Sequence, residues 1–233
     1  MTRPHLEVPK PTAADHAHTL ARAGVAYVPI IGNAAAELFD HVVTPPLEKR
    51  REAWRESVGQ RLLDLEAREQ ISIEDLQSND AFITAATRAS QAAMRAHHES
   101  KLEALRNAIL NSARPGAPSD TFQQLFIQWV DELTVDHLRF LILFRDPEGW
   151  FRKNNKQAPS FAMSGSLAQL IEAAYPDLGA NRILYDLIAS DLDARKLFSG
   201  GGMHTMMSAS GAWAKRTTTL GDQFVDYISN PAP

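Results

Sequence analysis

Apolar positions recur at three- and four-residue steps through most of this chain, and that period predicts helices. The clearest case begins at Leu47. In LEKRREAWRESVGQRLLDLEARE the residues Leu47, Trp54, Val58, Leu62 and Leu65 recur at helical steps, and charges of both signs fill the other positions, as a solvated face requires. Upstream, Thr12 or Asp15 is a cap for a helix through about Tyr27. Asn33 is a cap for a second short helix from Ala34 to Val43, with Leu38, Phe39 and Val42 on one side. Pro29 and the pair Pro45–Pro46 are expected to end or kink these elements, because proline lacks the donor that a helix interior uses.

Ile71 to Asn79 reads as a connector, and Ser78 or Asn79 caps a helix expected from Asp80 to about Asn111. The stretch NSARPGAPS, Asn111 to Ser119, is the strongest break in the chain. Beyond it, Ser119 caps a helix carrying Phe122, Leu125, Phe126, Trp129 and Val130, and Thr134 caps the apolar HLRFLILF. Glu148 to Ser166 reads as a polar insert, and Ser166 then opens LAQLIEAAY. The helix expected over Asn181 to Phe198 is built on Ile183, Leu184, Leu187, Ile188, Leu192 and Leu197. Gly200 to Gly202 make a flexible turn, Met203 to Thr219 is rich in Ser and Thr, and a final helix spans Asp222 to Ser229. Trp54, Trp129 and Phe144 each lie on the apolar stripe of their own helix and are expected in the core.

These elements predict a mainly α fold. A flexible tail is expected over residues 1–14 and an N-terminal helical bundle over 15–114. A degenerate winged-helix-like C-terminal domain follows over 115–233, with one short β-hairpin near Met203–Thr218 and the polar insert at 148–166. The winged-helix reading rests on the order of three helices, a candidate hairpin and a helix opened by TTTLGDQF.

Composition narrows the function classes. The 233 residues are 44% apolar and 22% charged, which suits a packed globular chain. There is no cysteine, so disulfides, thiolate nucleophiles and thiolate metal sites are excluded. With no apolar run of signal-peptide length in the first ten residues, the expected location is cytoplasmic. The longest uncharged apolar stretch, Ala23 to Ala36, is too short to span a bilayer.

Candidate chemistry is sparse. Glu37 and His41 are spaced i, i+4, as metal ligands on a helix must be, but no second such pair stands nearby. Gly200 to Gly202 follow a helix and lack the Gly-Lys-Ser/Thr of a phosphate loop. No G-x-S-x-G elbow occurs. No catalytic residue, metal or cofactor is therefore assigned, and the expectation is a non-enzymatic protein.

Two contact surfaces are suggested instead. Arg182, Lys196, Lys215 and Arg216 are candidates for touching nucleic acid or a partner. Over residues 115–233, however, 10 Lys and Arg stand against 13 Asp and Glu, and the whole chain carries −4. A protein partner or homo-oligomer is favoured over duplex DNA, which demands concentrated basic surface. A winged-helix transcriptional regulator is the alternative. The second surface is the broken apolar segment with Tyr27, Ile30, Ile31 and Phe39, followed by Lys49, Arg50 and Arg51. That combination suits conditional contact with a membrane surface or a partner.

Over about Leu20 to Phe144 the order of motifs resembles the abortive-infection alpha family of bacterial helical proteins. The pieces are YVPIIGNAAAELF, TPPLEKRREAW, HHESKLEALRNAILNS, FIQWVDELT and HLRFLILF. The resemblance implies a helical effector or regulator in phage defence, acting through a partner or membrane, and it supplies no catalytic residues.

Overall fold

The computed structural model describes residues 28–68 and 71–231. The chain divides into two compact units, Met1–Glu52 and Ala53–Pro233. Helix α1 (Val28–Arg68) begins in the first unit and ends in the second. It runs without interruption through Pro29 and Pro45–Pro46, against the expectation of two separate helices. Pro29 is the second helical residue, where no backbone donor is needed, so it opens the helix rather than closing it. Pro45 and Pro46 keep the helical φ but leave the carbonyls of His41 and Val42 without intrahelical donors. The expected tail over 1–14 and the helix ending at Tyr27 lie outside the described residues.

The second unit is mainly helical. Short α2 (Ile73–Gln77) leads to α3 (Asp80–Arg95), whose first turn is closed by the Asn79 carboxamide accepting from Phe82 N–H. The single long helix expected to follow is two. It breaks at Ala96–His98, where the backbone turns extended, and α4 (Glu99–Ala113) packs back against α3. Alanines make that approach close: Ala85, Ala89, Ala92 and Ala93 of α3 are all buried. Helix α5 (Asp120–Glu132) packs on both.

The expected domain boundary at Asn111–Ser119 is a tight turn inside this unit, with Gly116 at φ +80°. The reason is α12 (Thr219–Ile228), which returns to lie on α4. Asn107 Nδ2 donates to the Ile228 carbonyl at 3.0 Å, and Asn111 Nδ2 donates to the Tyr227 and Ser229 carbonyls at 2.8 and 2.9 Å. These side chains satisfy carbonyls that the end of a helix leaves orphaned. Beside them the Ser112 and Tyr227 hydroxyls meet at 2.6 Å, and burial pushes the tyrosine well above its ordinary range.

Between these elements run α6 (Val135–Arg145), α7 (Pro147–Lys153), α8 (Leu167–Ala174), α9 (Pro176–Gly179), α10 (Arg182–Ala194) and α11 (Ala209–Trp213). The segment read as a polar insert contributes to the core: Phe151 of α7 is buried, and Trp150 meets the Tyr175 ring edge-on at 4.9 Å. One aromatic cluster joins Phe126, Trp129, Phe224 and Tyr227, and another joins Phe140, Phe144 and Phe198, all at 4.6–5.7 Å between ring centres. Trp54, Trp129 and Phe144 are buried, as the helical stripes predicted.

The β content of the described residues is one small antiparallel pair. Strand β2 (Met207–Ser208) lies in the predicted segment, but its partner is β1 (Ser164–Gly165), from the loop before α8, in register Ser164 with Ser208 and Gly165 with Met207. An isolated bridge joins Phe198, upstream of the predicted hairpin, to Thr217 within it, and closes the loop at its base.

Candidate protein-interaction site

Among the described residues, helix α10 packs chiefly on α6 and α9. Asn181 caps it by accepting from Leu184 N–H, and Tyr185, Ile188, Ala189 and Leu192 are buried beneath it. At its C-terminal end Arg195 donates to Asp191 at 3.1 Å and to Glu132 of α5 at 2.9 Å. Asp191 also takes His137 Nε2 of α6 at 3.3 Å. His137 is fixed from its other nitrogen, since Nδ1 lies 2.7 Å from Thr134 Oγ1 in the capping box that opens α6. Burial lowers the His137 pKa below its ordinary value, against the opposite pull of Asp191.

The outward side of α10 is unusual for a helix so firmly anchored. Ile183 is 82% exposed and Leu187, one turn further on, is 63% exposed. Ser190 and Ala194 continue the same stripe and are also exposed. At 100° per residue these four positions fall within about 60° of one another, so they form one narrow face. One flank of it is charged. Arg182 stands at the start, Asp186 one turn on, and Asp193 near the end. Asp186 takes His204 Nε2 at 2.9 Å and Arg182 Nε at 3.5 Å. The Asp193 carboxylate has no hydrogen bond or ion pair among the described residues. Exposed Met206, two residues from His204, adds apolar surface in the neighbouring loop.

The basic residues singled out in the sequence do not form one free cationic face. Arg182 is paired with Asp186. Lys215 is paired with Asp222, so its charge is compensated at the start of α12. Arg216 turns inward, where Nη2 donates to the Gly211 carbonyl at 2.5 Å and approaches Met207 Sδ at 3.0 Å. Lys196 is exposed just beyond α10 at φ +62°, and its carbonyl accepts from Thr218 Oγ1. Of the second predicted surface, Tyr27 lies outside the described residues, and Ile30, Ile31 and Phe39 are placed on α1 by backbone alone. Lys49 and Arg51 are exposed and Arg50 is half-buried. No described helix is long and apolar enough to cross a membrane.

Shallow grooves lie elsewhere in the second unit. One of about 660 Å³ runs along the turn at 114–119 and the end of α12, and one of about 560 Å³ runs between α4, α6 and α12 beside exposed Ile142. Among the described residues no three His, Asp or Glu side chains gather as a metal-binding group.

Comparison of the chain with family models, with curated proteins and with solved structures finds no match.

The sequence placed Ile183 and Leu187 among the apolar positions that build α10 and did not single them out as surface. A signal was present. The apolar positions 183, 184, 187, 188 and 192 cover about 180° of the helix, well beyond the roughly 100° stripe that one-sided packing uses. A helix apolar over that arc either is covered on two sides or leaves one side bare.

Proposed function

We propose that this protein is a non-enzymatic helical interaction protein that binds its partner through the exposed face of α10. The observation that carries the reading is Ile183 and Leu187, 82% and 63% exposed at i, i+4 on a helix locked in place by the His137–Asp191–Arg195 contacts. A rigid helix with two large apolar side chains in water is the arrangement that helix-recognising partners use as anchors. Neither residue supports the core beneath it, so packing gives no reason for their size. A role in phage defence follows only from the order of motifs over residues 20–144, and the interaction reading stands without it.

A photoreactive amino acid placed at 187 in the producing cell tests the proposal, with the same probe at exposed Gln223 as the control. The expected result is a discrete protein adduct at 187 and none at 223. Equal or absent labelling at both positions would remove the reading.

A further inference from the structure

We infer that the occupant of the α10 face is a second copy of this chain, bound through two antiparallel α10 helices about a two-fold axis. The inference rests on the interaction reading above and names its partner. Its basis is the self-complementarity of the stripe. Large residues fill the first half, Ile183 and Leu187, and small ones the second, Ser190 and Ala194. An antiparallel two-fold pairing lays Ile183 over Ala194 of the second copy and Leu187 over its Ser190, and the reverse, so each bulky side chain meets a small one.

The charges obey the same operation. A two-fold axis between antiparallel helices brings each flank against its own counterpart. The flank carrying Arg182 at one end and Asp193 at the other therefore meets itself reversed, and Arg182 faces Asp193 of the second copy. Arg182 has the reach, because its side chain is 69% exposed and its contact with Asp186 is a long one at 3.5 Å. Asp193 has the vacancy, since it has no partner among the described residues. Asp186 shares the flank but is held by His204 at 2.9 Å, so the seam is not a run of unpaired carboxylates. The other side of the helix does not compete, because Asp191 and Arg195 are committed to His137 and Glu132. One helix face is small beside the roughly 800 Å² per partner of a standard interface, so the expected dimer is weak and reversible.

Sedimentation of the full chain over a rising concentration series tests this, with circular dichroism confirming that each variant is folded. The wild type is expected to pass from monomer to dimer in the micromolar range. Leu187→Asp is expected to remain a monomer at every concentration. Arg182→Asp and Asp193→Arg are each expected to weaken association about tenfold, and the double variant R182D/D193R to restore it. A wild type monomeric throughout, a dimer indifferent to Leu187→Asp, or a double variant as weak as its parents would overturn the inference. The photo-crosslinking experiment keeps the two failures apart. An adduct at 187 with a different protein leaves the interaction reading standing and removes the homodimer, whereas no adduct and no dimer removes both.

Discussion

His137 Nε2 and Asp191 Oδ2 lie 3.3 Å apart across the seam between α6 and α10, and the histidine also completes the cap of its own helix. The folded protein favours the neutral imidazole, because burial outweighs Asp191 and Asp136 while Arg195 adds to the lowering. A histidine whose folded pKa lies below the ordinary 6.5 contributes stability fully above that value, and the contribution is lost as pH falls beneath it. Stability in urea is therefore expected to drop between about pH 7.5 and about pH 5. His137→Gln keeps a capping side chain at the same position and cannot charge, so its drop over that interval should be smaller. An unchanged drop would place the pH dependence elsewhere.

Asn107 is 4% exposed and holds the Ile228 carbonyl, so Asn107→Ala leaves a buried acceptor unpaired. The expected cost is about 1–3 kcal/mol, read from the urea midpoint. Asn111→Ala releases the carbonyls of Asp226, Tyr227 and Ser229, closer to solvent, and should cost less. The two changes sit one turn apart on α4 and release the same helix end, so their effects should not add.

Trp129 packs on Phe126 and Phe224, with ring centres 5.7 Å away in both cases. Trp129→Ala is expected to cost about 3–5 kcal/mol, visible as a large fall in the thermal midpoint. An unchanged midpoint would show that the ring contributes little to the core.

Gly221 lies in the first turn of α12, buried against the backbone of Leu197. A Cβ there would overlap the Leu197 carbonyl oxygen, and backbone cannot yield as a side chain can. Gly221→Ala should destabilise by about 1–3 kcal/mol despite the gain in helix propensity, and chemical denaturation would measure it. The same substitution at Gly59, which has open space around it, should be neutral or stabilising.

The mainly helical class, the buried Trp54, Trp129 and Phe144, and the caps at Asn79 and Thr134 were legible because each depends on neighbours within one or two turns. The break before α4 was not. Its N-cap, His98, makes no side-chain capping bond, and the apolar period continues across it. Strands β1 and β2 are two residues each and separated by 41 residues, too short to show alternation and too distant for a turn signal. The α10 face was half legible. The width of its apolar arc could be counted, but which part of the arc meets the core is decided by α6, and tertiary placement does not appear in a local pattern.

The hydrogen bond from Asn107 to Ile228 joins residues 121 positions apart. A chain emerging from a ribosome can form α3, α4 and α5 as soon as each is made, since they are successive in sequence. The face of α5 that takes Phe224 and Tyr227 must then wait, still wet and apolar, until residue 228 has left the tunnel. Translation stalled anywhere after α5 would leave Phe126 and Trp129 in search of other company, and a chaperone that binds apolar surface would find its strongest foothold there. The fold closes late, and its most exposed moment comes during its own manufacture.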